Sequence, residues 1–100
     1  MRTILIDAAT KEVKEIETFP SLHRIRDAIG VTGNIDFHSI SNGEQLWTGT
    51  DKEGKGFFKM DGVGCYEGNG IIIATNTNSG FIDTKLSVEE VKNKVRFAKS

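Results

Sequence analysis

Apolar positions along this chain fall into short runs separated by turn residues, and two of these runs flank the dipeptide that organises the rest. In residues 35–50, I-D-F-H-S-I-S-N-G-E-Q-L-W-T-G-T, β-branched and aromatic side chains lie on both sides of Asn42-Gly43. A type I′ turn needs positive φ at both central positions, which Asn tolerates and Gly adopts without steric cost. The stretch is predicted to be a β-hairpin. On its first arm Ile35, Phe37 and Ser39 share one face, and Asp36, His38 and Ile40 share the other. On the second arm Leu46 and Thr48 alternate with Gln45 and Trp47. Neither face is purely polar, so cover is expected on both sides.

Other elements follow from the same patterning. Residues 3–7 read as a strand around Ile4-Leu5-Ile6, with a turn over 8–11 and a returning strand over 12–18. In that return Val13 and Ile16 break strict alternation, so its register stays open. Pro20 suits the first turn of a helix. Leu22, Ile25, Ala28 and Ile29 recur at helical spacing as one buried stripe, and Gly30 suits a left-handed stop. His23, Arg24, Arg26 and Asp27 fall off that stripe and are expected in solvent. Residues 51–56 read as an exposed loop, 57–60 as a short strand, and 61–70 as a glycine-rich connection. Residues 71–75, with three consecutive isoleucines, read as a buried strand, and Phe81-Ile82-Asp83 as a short one. Ser87 and Glu90 form a capping box, with Leu86 and Val91 placed to staple it. That helix reaches at least Asn93 or Lys94. Val95-Arg96-Phe97-Ala98 either continues it or leaves as an edge strand, and the V-x-F spacing favours the strand. The fold class is α+β, a single domain over 1–100, with a mainly antiparallel sheet of about five to seven short strands and two helices.

Composition narrows the function classes. At 100 residues and 37% hydrophobic content the chain supports one modest core without disulfides or metal. A formal charge of −1 lacks the basic footprint of a general nucleic-acid binder. No apolar run is long enough to span a membrane, and the opening M-R-T-I-L-I-D is too short for a signal peptide. The lone Cys65 forms no internal bridge, which fits a reducing, cytoplasmic compartment.

No catalytic set emerges. Gly62, Gly64 and Gly68 mimic the spacing of a dinucleotide loop, but a strand follows them where a helix N-terminus is needed. Cys65 has no local pattern tying it to His23 or His38, so a small buried thiol is expected over a nucleophile. Asp36, His38 and His23 lack metal-ligand spacing. Asp51-Lys52-Glu53 opens like a calcium loop and then fails, with Phe57 at the seventh position and Gly62 at the twelfth. No cofactor or metal is expected. Trp47, Phe57, Phe58 and Tyr66 lie near glycine-rich turns, where base or ring stacking competes with core packing. The basic bias of Lys92, Lys94, Arg96 and Lys99 reads as a solvated face.

The order of pieces resembles a family of small domains of unknown function from bacteriophages and other mobile elements. The resemblance is carried by the I-L-I-D strand, the L-x-x-I-x-x-x-I-G helix, the D-K-E-G-K-G loop before Phe57-Phe58, the G-N-G-I-I-I-A-T strand and the final L-S-x-E-E helix ending in V-R-F. Residues 65–68 depart from it. It implies a bacterial host cell and a non-catalytic accessory role, with no active site to carry over. The first expectation is therefore a protein that binds a host protein through an acidic and aromatic surface of Trp47, Asp51, Glu53, Phe57 and Tyr66. The alternative is a small-molecule, nucleotide-like binder or sequestering protein. In it backbone N–H groups of residues 62–70 would meet an anion together with Arg24, Arg26 or Arg96. An enzyme using Cys65 or His38 ranks last. Open edge strands would also permit a homodimer.

Overall fold

The computed structural model describes residues 1–31, 33–41, 43–49, 56–76 and 80–98. Its elements in chain order are β1 (Arg2–Asp7), β2 (Glu12–Glu17), α1 (Leu22–Ile29), β3 (Ile35–Ser41), β4 (Glu44–Gly49), β5 (Phe57–Met60), β6 (Gly64–Glu67), β7 (Gly70–Asn76), β8 (Gly80–Ile82), α2 (Val88–Lys94) and β9 (Val95–Ala98). The fold is α+β and every strand pairing is antiparallel. The strands divide into two sheets. The larger has the order β2-β1-β7-β4-β3, with β8 on β7; the smaller has the order β6-β5-β9.

The isoleucine run follows from where β7 sits. It is the central strand of the larger sheet and is covered on both faces. Ile72 joins Ile4, Ile6, Leu46, Phe58, Met60, Val91 and Val95 in the core under the small sheet and α2. Ile71 and Ile73 join Ile25, Ile29 and Trp47 in a second core under α1. A strand buried on both sides has no use for alternation. The same two-sided cover explains β2, where Val13 faces the first core and Ile16 packs against the second. Gly70 makes room between the layers: a Cβ there would stand 2.8 Å from Phe58 Cζ and 2.9 Å from Leu46 Cδ1. The ring of Phe58, fully buried, fills that space.

Both helices carry the stops and starts their sequences announce. Gly30 ends α1 at φ 85°, and its N–H donates to the carbonyls of Arg26 and Asp27. Ser87 and Glu90 form the capping box of α2. The chain leaves α2 directly as β9, which pairs with β5, so the V-x-F segment is a strand. Three expectations are corrected. Pro20 precedes the cap residue Ser21 and lies outside the helix. Leu22 is 50% exposed, because the buried stripe begins only at Ile25. Residues 61–70 are not one long connection: a turn at Asp61–Val63 leads into β6, which pairs with β5. Asn42 and residues 50–55 lie outside the described residues, although Gly43 holds the expected positive φ of 75°.

Residues 83–86 cross from the larger sheet to α2 without regular structure, and two side chains hold them. Arg2 lies at the centre of one set of contacts. Its N–H donates to Asp83 Oδ1 at 2.7 Å, and its guanidinium donates to the carbonyls of Thr84 at 2.7 Å and Leu86 at 2.8 Å. The same guanidinium pairs with Glu15 at 2.5 Å, and the N–H of Thr84 donates to the Arg2 carbonyl at 3.0 Å. Glu44 is the other anchor, only 4% exposed. It accepts the Thr84 hydroxyl at 2.5 Å and the Lys85 N–H at 3.0 Å. Removing the Glu44 carboxylate leaves buried donors without an acceptor. Glu44→Ala is expected to cost about 2–3 kcal/mol of stability, and Glu44→Gln, which keeps one acceptor oxygen, clearly less. Urea unfolding of the three proteins checks this, and an alanine variant within about 0.5 kcal/mol of wild type contradicts it.

Candidate functional site

Among the described residues the most exposed large apolar side chain is presented where β2 gives way to α1. Thr18 is fixed to the N-terminus: its N–H donates to the Met1 carbonyl at 2.9 Å, and the Met1 ammonium donates to the Thr18 carbonyl at 2.8 Å. The hydroxyls of Thr3 and Thr18 meet at 3.0 Å. Three residues later Ser21 caps α1, accepting the Arg24 N–H at 3.3 Å, while its own N–H donates to the Phe19 carbonyl at 2.8 Å. Pro20 adds its fixed φ between the two anchors. Phe19 is thus held outward, 72% exposed. Its ring stands between two shallow hollows. One of about 280 Å³ is lined by Met1, Glu17, Thr18 and Phe19; another of about 370 Å³ is lined by Phe19, Pro20, Ser21 and Arg24. The Arg24 guanidinium lies 5.9 Å from the ring centroid, and half-exposed Leu22 lies between the two in sequence. Glu17, near the Met1 ammonium at 3.4 Å, and the His23–Asp27 pair at 3.6 Å add polar groups on the flanking strand and helix.

Of the residues expected to form a binding surface around Trp47, the described ones, Trp47, Phe57 and Tyr66, are not brought together. Trp47 is only 9% exposed, because its strand face is the one α1 covers. Its indole N–H donates to Gln45 Oε1 at 3.2 Å, and its ring touches Phe37 at 5.1 Å and Phe81 at 5.6 Å between centroids. Tyr66 lies on the opposite side of the larger sheet, stacked on His38 at 4.4 Å and near Phe58 at 5.6 Å. Phe57 alternates with buried Phe58 and so faces away from that core, partly covered. Asp51 and Glu53 fall outside the described residues.

Of the three arginines offered to an anion on the glycine-rich stretch, two lie away from it and Arg96 shares its sheet. Gly70 opens β7, and residues 62–69 belong to the small sheet and its links. Arg24 and Arg26 sit on α1, across the larger sheet from it. Arg26 is partly buried, where solvent was expected, and its Nε is enclosed without a hydrogen-bond partner among the described residues. Arg96 lies 4.0 Å from Asp61. Cys65 is exposed, which corrects the expectation of a buried thiol: β6 turns it outward, opposite Lys59. Among the described residues no three metal-ligating side chains cluster, and no helix is long and apolar enough to cross a membrane.

Phe19 and Leu22 escaped the sequence reading for different reasons. Leu22 has the right helical spacing, but the helix begins at it, before the stripe meets the sheet. Phe19 did carry a signal: it is an aromatic residue between two elements with no periodic partner in either.

A further polar contact joins His38 to Thr48, with the Tyr66 ring against the imidazole. His38 Nε2 and Thr48 Oγ1 are 3.2 Å apart, and the Tyr66 hydroxyl donates to the Val63 carbonyl at 3.3 Å. Burial first, then the Asp36 carboxylate and Cys65, push the Tyr66 phenol above its usual 10.0. A phenol held more tightly protonated in the folded chain stabilises the fold fully below the usual tyrosine value. That contribution is lost as pH rises through the folded value. Tyr66 is the only tyrosine, so phenolate absorbance reports it alone. Its midpoint is expected above 10.0, and Asp36→Asn should lower it only part of the way, burial being the larger cause. A midpoint at or below the usual value refutes the assignment.

No protein-family model, curated protein or solved structure matches this chain.

Proposed function

We propose that this chain is a non-catalytic binding module that docks a protein partner on the ridge formed by Phe19, Leu22 and Arg24. The observation that carries the proposal is Phe19: a large ring 72% exposed, held by anchored backbone on both sides, with a hollow on each flank. Aromatic side chains and arginine are both enriched in protein–protein interfaces, and a ring and guanidinium held in place beforehand bury area at low entropic cost. The partner this ridge fits offers an apolar cleft for Phe19 and Leu22 and a carboxylate for Arg24. The resemblance to phage and mobile-element domains supplies the setting, the cytoplasm of a bacterial host, and the role, an accessory protein that blunts a host process by occupying one of its components.

Affinity capture from bacterial lysate tests this with wild type, Phe19→Ser and Phe57→Ala. Wild type is expected to retain a polypeptide. Phe19→Ser should weaken its binding by about 2 kcal/mol, roughly thirtyfold in Kd, while Phe57→Ala leaves it unchanged. Retention lost in Phe57→Ala and kept in Phe19→Ser moves the surface to the small sheet and overturns the proposal. So does wild type that retains nothing.

A further inference from the structure

The free edges of the two sheets are unequal. A strand edge exposes unpaired N–H and C=O groups, and proteins blunt such edges with charge, proline, bulges or shortness. Edge strand β2 carries Glu12, Lys14, Glu15 and Glu17 among its six residues. The small sheet's edges, β6 and β9, have four residues each. β3 has seven residues, no lysine, arginine or proline, and one carboxylate, Asp36. Among the described residues nothing pairs with its outer side.

We propose that two copies of this chain pair through β3, antiparallel, about a two-fold axis at Phe37. Three observations fix the register. The first is backbone parity. The Phe37 N–H is directed away from β4, since it donates to Asp36 Oδ1 at 2.9 Å. Alternation then turns the backbone groups of Ile35 and Ser39 outward as well. These are the groups a second strand needs. The second is the bulge. Pairing with β4 is regular over residues 35–39 and shifts between Ser39 and Ser41, so the flat part of the edge has Phe37 at its midpoint.

The third observation is side-chain complementarity. With the axis at Phe37, Asp36 of one copy stands directly opposite His38 of the other, twice over, on the face where His38 meets Thr48 and Tyr66. An axis at His38 would instead set Asp36 opposite Ile40 and His38 opposite itself. On the other face Phe81, Trp47 and Phe37 already form a row of rings, 5.6 Å and 5.1 Å apart, that ends at the half-exposed Phe37. The second copy continues that row with its own Phe37 and covers both rings. In forming the pair, the Phe37 N–H passes from Asp36 to the carbonyl of the partner's Phe37, and the Asp36 carboxylate turns to the partner's His38. The surface is separate from the Phe19 ridge, so this inference and the proposed function stand or fall independently.

Light scattering after gel filtration of the whole chain, at high-micromolar concentration, tests the pairing. Wild type is expected at twice the 11.0 kDa chain mass. Ser39→Pro removes one outward N–H and leaves the β4 ladder intact, so it should run as a folded monomer. Phe37→Lys, which sets like charges on the axis of a half-exposed site, should do the same, with circular dichroism verifying the fold of each. In a Cys65→Ser background, Phe37→Cys should give a covalent dimer on oxidation faster than His38→Cys does. Monomeric wild type overturns the inference. A dimer mass unchanged in both folded variants, or a faster bridge through His38→Cys, places the contact elsewhere and overturns it too.

Discussion

The layers of this molecule depend on how a buried carboxylate and one arginine hold the irregular stretch 83–86. Backbone N–H and C=O groups away from water must find partners, and outside helices and ladders side chains have to supply them. Here Arg2, in the first strand, and Glu44, in the fourth, meet the same segment from different strands of one sheet. Between them they satisfy the Thr84 and Leu86 carbonyls, the Lys85 N–H and the Thr84 hydroxyl. The Leu86 N–H turns back to Thr84 Oγ1 at 3.2 Å. That arrangement aims the capping box of α2. It thereby sets where Val91 and Val95 enter the core and where β9 meets β5. The small sheet is closed on one side by a segment whose course is decided on the large one.

Local chemistry was readable wherever a residue type has one job. Gly30 and the Ser87–Glu90 box are such positions, and both helices stop or start as their residues require. Ile71-Ile72-Ile73 announced a buried strand because no one-sided strand carries that run. The division into two sheets was not readable. It depends on β5 joining β9 and not β4, with Phe58 packed over Gly70, and that packing leaves no periodic trace. β6 was hidden for a related reason. Gly64 and Gly68 bracket Cys65, Tyr66 and Glu67, and glycines lower strand propensity while permitting the turns this small hairpin needs.

Binding residues were harder to read than the fold, since exposure belongs to packing and not to residue type. Trp47 and Phe19 illustrate the point with opposite outcomes. Trp47 sits in a hairpin whose faces look alike in sequence, and only the position of α1 decides that its face is covered. Phe19 is as apolar as any core residue. Its two anchors, Thr18 on the N-terminus and Ser21 on the helix, leave it no route inward.

The strand order has a consequence for how the chain reaches this state. β7 lies between β1 and β4, yet it leaves the ribosome after both of their hairpins are complete. Until it arrives, the β1–β2 and β3–β4 pairs have no common partner, and each waits with one apolar flank and one unpaired edge exposed. Closure is then an insertion, and the loop entropy is spent before the central contacts repay it. A nascent chain of this protein is therefore most vulnerable to wrong strand pairing in the interval before residues 70–76 emerge, when its own hairpins are the nearest available templates.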